Sequence, residues 1–284
     1  MRKNLSRSLS SRDLRKVYNS YDIVGKIAII KLPRASPENA QNIAKAVLAI
    51  HKNVKTVLVQ ESPVVGRFRL RSLTHLAGEN KTSTIHKESG CLFSVDVAKC
   101  YFSPRLSHER MRIAGIAKPK ETVVNMFAGV GCFSIILAKQ ANASKVFSID
   151  VNPTAIRFMQ ENIRLNRVYD QIIPLLGDSK EIINRRLQRK ADRVLMPLPE
   201  KAFEYLPYAV SALKASGGWI HYYDFEHAKK TEKPTDKTKL KVAEKLASLG
   251  VAFELPFSRV ARSTGPNWYQ VVLDVHVTRV PSKF

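Results

Sequence analysis

The apolar positions of the chain change rhythm part-way along it. Up to about Phe102 short β-branched runs are interrupted once by a helical stripe. The run 25–32 (GKIAIIKL) ends at Pro33, and 56–61 (TVLVQE) is a second strand-like run. Between them, 37–52 places Ile43, Val47 and Ile50 on one stripe. It starts at Ser36-Pro37, a cap followed by proline at the first helical position. In 66–71, Phe68 and Leu70 alternate with Arg67, Arg69 and Arg71, a period of two that predicts a strand with three arginines on one face.

From Tyr101 onward strand-like and helix-like segments alternate. The strand-like runs are 122–127, 145–150, 172–178, 191–199 and 217–225, and a helical pattern follows each of the first four, after a glycine-containing turn in the first case. After the fifth, the lysine-rich run 229–239 is a solvated loop by composition and leads into a helix beginning near Lys237. The last two strand-like segments are joined by the turn STGPN with no helix between them. Regular alternation predicts a parallel, doubly wound α/β sheet, and the final pair predicts an antiparallel edge. Three parts follow: a basic arm over 1–17, a small α+β domain over 18–102, and a Rossmann-like α/β domain over 103–284.

Charge adds the class of partner. Lysine and arginine total 47 against 24 acidic residues, a net charge of +23. Such an excess attracts polyanions, so nucleic acid is the expected partner, although charge alone names no activity. An apolar share of 44% supports a packed core. Three scattered cysteines are too few for a disulfide framework or a four-cysteine zinc site; they fit a reducing cytoplasm, and no metal is expected. No apolar run approaches 18 residues, so no membrane span is expected. Nothing in the pattern marks a self-complementary apolar surface, and a monomer is expected.

The turn after the 122–127 segment carries Gly129 and Gly131, and Asp150 ends the next strand 21 positions beyond Gly129. Glycines there let backbone approach a ligand, and an acid about 20 residues further on is placed to accept hydrogen bonds from ribose hydroxyls. Asp178, at the end of the third strand, either accepts from an adenine amino group or caps the helix that follows. Together these residues, with their neighbours Val151 and Ser179, point to an adenine nucleoside cofactor. Phe127 either lines that pocket or belongs to the core.

Three runs, 73–114, 123–135 and 150–166, closely resemble the archaeal and eukaryotic tRNA guanosine-37 N1-methyltransferases, and the resemblance extends over nearly everything from Tyr18 onward. It implies a class I methyltransferase domain beside a small RNA-facing domain, with S-adenosylmethionine as donor. N1 of the guanosine 3′ of the anticodon in tRNA is then the acceptor. Glu109 is the implied general base, against the alternative of a plain helix-start carboxylate. Arg69 is the candidate for the O6 contact, with Arg67 or Arg71 as substitutes or phosphate contacts. Arg105 joins the substrate-binding set, and Arg110 is placed near the cofactor carboxylate or a phosphate. Pro197 and Pro199 shape a floor under the flipped base, while Tyr205 and Tyr208 are either stacking residues or core.

The sequence also departs from the family pattern. Many members carry an additional N-terminal domain that this chain is too short to hold. Met196-Pro197-Leu198-Pro199 stands where the family often has Asn-Leu-Pro or Asn-Pro-Pro, and Asn125 stands where many methyltransferases have Asp. A related family moves the aminocarboxypropyl arm of the same cofactor in wyosine synthesis, and these departures keep that reaction open.

Overall fold

The computed structural model describes residues 21–32 and 37–282. The basic arm expected over 1–17 and the expected cap Ser36 lie outside the described residues. A small sheet comes first, built from β1 (Asp22–Val24), β2 (Ile27–Ile30), β3 (Thr56–Gln60) and β4 (Leu73–Gly78), in that spatial order. Helix α1 (Pro37–Ile50) connects the parallel pair β2 and β3. Its buried Ile43, Ala44 and Val47 pack with Ala28, Ile30 and Val57, so Ile43 and Val47 of the predicted stripe meet the sheet, while Ile50 at the helix end is only partly buried.

The run 66–71 is not a strand. Val65 and Leu70 exchange backbone hydrogen bonds (2.9 and 3.1 Å), and Gly66 to Arg69 form the tip of a tight hairpin. Gly66 and Arg69 have φ of +75° and +53°, a left-handed conformation that ends any pleat. The three arginines therefore do not share a face. Arg67 is exposed, Arg69 bonds Glu200 at 2.9 Å, and Arg71 donates to Gln60 at 3.3 Å.

The hairpin of β5 (Ser83–Glu88) and β6 (Cys91–Asp96) falls within the expected small domain but packs on the helices of the larger one. Asn162 accepts from the Ser94 amide (2.6 Å) and donates to its carbonyl (3.0 Å), and Asn166 does the same for Leu92. Two side-chain amides on one helix thus satisfy the edge of β6 as another strand would. Next come helices α2 (Ser107–Ile116) and, after β7 (Thr122–Asn125), α3 (Cys132–Ala141). Strand β8 (Lys145–Asp150) leads to α4 (Pro153–Asn166), which carries those asparagines, and β9 (Ile172–Leu176) leads to α5 (Ser179–Ile182). The expected helix there continues only as a π-helical turn, 183–187. Then follow β10 (Arg193–Met196), α6 (Pro199–Ala212), β11 (Gly218–His227), α7 (Pro234–Ser248), β12 (Ala252–Gly265) and β13 (Trp268–Arg279).

The run 229–239 is a loop only as far as Lys233. Proline at the first position, where no N–H is needed, starts α7 three residues before the expected Lys237. The last turn is likewise shorter than STGPN: the strands run to Gly265 and from Trp268, leaving Pro266 and Asn267 as the turn.

The large sheet has the order β12-β13-β11-β10-β7-β8-β9. Strands β11, β10, β7, β8 and β9 are parallel, and the β12/β13 pair closes one side antiparallel. Its central strands are buried on both faces, as a parallel sheet covered by helices requires. Val123 and Leu195 face the core shared with α2, α3, α4 and the β5–β6 hairpin; Val124, Val194 and Met196 face the core shared with α6 and α7. Strand order reverses between β7 and β10, and the carboxyl ends on either side of that reversal are where such a sheet holds a ligand. Among the described residues no helix is long and apolar enough to cross a membrane.

Candidate active site

A cleft of about 650 Å³ opens at that reversal, within the range of small-molecule sites. Its floor is strand ends and the turns after them: Phe127 and Gly129, Asp150 and Val151, Asp178 and Ser179, and Pro197. Its roof is the hairpin of the small domain, with Arg67 and Arg69, and Tyr101 stands on the same cleft. Nine of the expected site residues thus meet in one place.

The turn after β7 works as its glycines suggested. Gly129 and Gly131 have φ of +56° and +92°. A Cβ on Gly131 would lie 2.8 Å from the Met159 side chain, whereas Gly129 lies open to the cleft. Asp150 is fixed by backbone, accepting from Gly129 N (2.7 Å) and Asn152 N (2.9 Å). Burial pushes its carboxyl above the usual carboxylate range, and the amides of Asn152, Gly129 and Val151 oppose the shift. Each carboxylate oxygen keeps a further lone-pair site, so donors from a ribose suit it.

Asp178 takes the capping role, one of the two expected of it, and stands where a ligand could reach it. It caps α5 by accepting from Lys180 N (3.0 Å), and it lines the cleft. Its second partner was not foreseen: the Tyr205 hydroxyl donates to it at 2.9 Å. Burial and this carboxylate push the Tyr205 phenol up, so it stays a donor. Tyr205 packs edge-on against both Phe127 and Tyr208, which makes it cleft floor and core at once. The buried Ser179 hydroxyl has no protein partner. A capped helix start, two strand-end acids, an unsatisfied hydroxyl and a glycine turn fit an adenine nucleoside with its ribose on Asp150. On the α3 side of the sheet Asn125 is fully buried and donates to Ser134 Oγ at 3.1 Å.

Six expected residues do not line the cleft: Glu109, Arg110, Gly131, Arg71, Arg105 and Pro199. Gly131 caps α3 behind it, and Pro199 opens α6 and is buried. Arg105 donates to Asp22 at 2.6 Å and lines a separate groove with Lys31 and Gln60. Arg110 forms a bidentate pair with Glu88, both bonds 2.6 Å, and donates to Ser103 O. Burial alone would raise the Glu88 carboxyl, but hydrogen bonds from His86 and Arg110 hold it at about 2. A guanidinium so committed joins β5 to α2 and is not free for a cofactor carboxylate.

Glu109 is 2% exposed. Its carboxylate accepts from Arg112 (2.7 Å), from the Tyr223 hydroxyl (2.9 Å) and from Arg259 on edge strand β12. Arg112 passes the network on to Asp274 (2.6 Å), and Asp274 holds His221 (2.6 Å). Arg259 and Tyr223 escaped the sequence reading because each lies more than 100 positions from Glu109. Glu200 and Tyr101, both partners of Arg69, escaped it too. Arg69 lies 4.3 Å over the Tyr101 ring and its buried Nε has no hydrogen-bond partner.

Comparison with known proteins adds identity to this geometry. A family model described as the TRM5/TYW2 methyltransferase domain matches residues 84–250, and one described as the TYW2 N-terminal domain matches 1–82. The chain is 44% identical over 259 residues to the tRNA (guanine(37)-N(1))-methyltransferase Trm5b of Pyrococcus abyssi, covering 91% of this chain and 75% of that one. A crystal structure of Trm5b from Pyrococcus abyssi superposes with a TM-score of 0.84 over 95% of this chain and 78% of that one, at 42% identity. The tRNA 4-demethylwyosine(37)-methyltransferase Taw21 of Saccharolobus solfataricus is 36% identical over 265 residues, 93% of this chain and 96% of its own. A crystal structure of M. jannaschii TYW2 in complex with AdoMet matches with a TM-score of 0.66 at 30% identity, over 92% of this chain and all of that one.

Proposed function

Because the chain belongs to the TRM5/TYW2 methyltransferase family, we propose that it methylates the purine at position 37 of tRNA from S-adenosylmethionine, with N1 of guanosine as acceptor. One observation carries the proposal. Two acids at strand ends, Asp150 and Asp178, face a guanidinium brought in from the other domain, Arg69, across a single cleft. S-adenosylmethionine, when bound, supplies a methyl carbon made electrophilic by its sulfonium.

The chain's own groups divide the remaining work. Asp150 takes the ribose hydroxyls and Asp178 the adenine edge. N1 of guanine carries a proton at neutral pH, so its attack needs a base and a donor for the charge that builds on O6. Arg69 is that donor, with Nε unused by the protein. Glu109 is the base, and it takes the proton after exchanging Arg259, whose side chain is 37% exposed, for substrate. Leu198 and Pro197 close the floor beneath the base.

A second reading, methylation of the wyosine precursor at the same position, has a specific observation in its favour. Both oxygens of Glu109 are held by arginines, and Pro197 offers no side-chain amide. An acceptor that sheds its proton only after the new bond has formed, as a ring carbon does, has no need of a base held free beforehand. Methyl-tritiated S-adenosylmethionine with tRNA transcripts bearing guanosine or adenosine at 37 separates the readings after digestion to nucleosides. Label in N1-methylguanosine from the guanosine transcript alone is expected. Label appearing only with tRNA that carries 4-demethylwyosine selects the second reading. Incorporation of a carboxyl label in place of the methyl label selects aminocarboxypropyl transfer and overturns both.

A further inference from the structure

The hairpin over the cleft ends in an aromatic side chain that the mechanism above does not use. Phe68 is 39% exposed, and Val65, on the adjoining arm, is 59% exposed. Both line the same cleft as Asp178 and Pro197. A Cβ built on Gly66 meets nothing within 4 Å, so the tip projects into open space. Scattered surface apolar groups are ordinary and carry no meaning alone. This pair differs because the backbone beneath it is immobilised. The Val65 and Leu70 exchange closes the hairpin, Arg69 N bonds Gly66 O at 3.0 Å, and the Arg69 side chain is tied to Glu200 and laid over Tyr101. The exposed Arg67 beside Phe68 and Lys180 on the same cleft offer positive charge to phosphates, while Lys201 there is paired with Glu204 at 2.8 Å.

We propose that Phe68, flanked by Val65, is a wedge that enters the anticodon-loop stack and holds the place of the extruded target base. The inference rests on the reading of position 37 in tRNA as the substrate. A base bound among Arg69, Asp178 and Pro197 has left its stack, at a cost of a few kcal/mol. Apolar side chains inserted at a base step offset such a cost in other nucleic-acid complexes. Here the residue that reads the base, Arg69, and the residue that fills its gap are neighbours on one rigid tip. Extrusion and capture are thereby coupled by covalent geometry. The occupant is the pair of bases on either side of position 37, and stacking against them tolerates any sequence.

Single-turnover methyl transfer at saturating tRNA tests this with wild type, Phe68→Ala and Phe68→Trp. Loss of one aromatic–base stack lowers the Phe68→Ala rate by about ten- to a hundredfold, while Phe68→Trp stays within about threefold of wild type. Calorimetry with S-adenosylhomocysteine shows the same affinity in all three, because no cofactor contact is altered. Separately, p-benzoylphenylalanine placed at position 68 is photo-crosslinked to tRNA, and the adducts map to nucleotide 36 or 38. A Phe68→Ala rate equal to wild type overturns the wedge and leaves the tRNA reading intact, as does crosslinking confined to nucleotides outside the anticodon loop. Wild type that labels no tRNA overturns both together.

Discussion

The two walls of the cleft are built in opposite ways. On the strand-end wall the key acids accept from main-chain amides, Asp150 from Gly129 and Asn152 and Asp178 from Lys180, with the Tyr205 hydroxyl added at Asp178. On the hairpin wall, position comes from side chains far apart in sequence, Arg69 with Glu200 and Tyr101; off the cleft, Glu109 is likewise held by the distant Arg259 and Tyr223. Backbone anchors survive most substitutions, whereas a wall held by side chains is open to single changes. The strand-end wall is therefore the less easily perturbed of the two, and on the proposed function discrimination among acceptor bases falls to the other side.

That contrast is broken most severely at Glu109. Glu109→Gln should lower the single-turnover rate by about 10²–10⁴, the range for loss of a general base, with cofactor affinity unchanged. An unaltered rate would remove the carboxylate from proton transfer. Arg69→Ala follows, with a loss of about 10²–10³ for removing one donor to a developing oxyanion. Calorimetry with S-adenosylhomocysteine should then read the wild-type value; a fall in that affinity would show that the two walls are not independent.

The smallest effect concerns stability, at the pair that joins β5 to α2. The Glu88 carboxyl is held at about 2 in the fold against an ordinary 4.5, so its stabilising share is whole above pH 4.5 and is lost as pH falls toward 2. Melting temperature should drop more steeply between pH 5 and pH 3 in wild type than in Glu88→Gln. Parallel slopes would mean the pair contributes nothing in this range.

How much of this was legible in the sequence follows the same division. The alternation of strands and helices, the glycine turn and the strand-end acids are local patterns, and the structure places all of them on the cleft or directly behind it. The hairpin misled because Arg67, Arg69 and Arg71 alternate with apolar residues as a strand does; the left-handed φ of Gly66 and Arg69 is not written in that period. The β5–β6 hairpin left only a weak trace, since its edge is completed by Asn162 and Asn166 from a helix far along the chain. Arg110 was assigned to the cofactor because nothing near it in sequence reveals Glu88, 22 positions earlier, as its partner. Residues whose roles depend on distant partners were the ones misplaced.

The account stands on the nucleoside site at the sheet reversal, and Asp150 is its most exposed point. Titration calorimetry of S-adenosylhomocysteine into wild type and Asp150→Ala tests it without any RNA. Saturable one-to-one binding to wild type, lost in Asp150→Ala while the variant keeps its cooperative thermal unfolding, is the predicted result. Absence of binding to the wild-type protein, or undiminished binding to the variant, would contradict it.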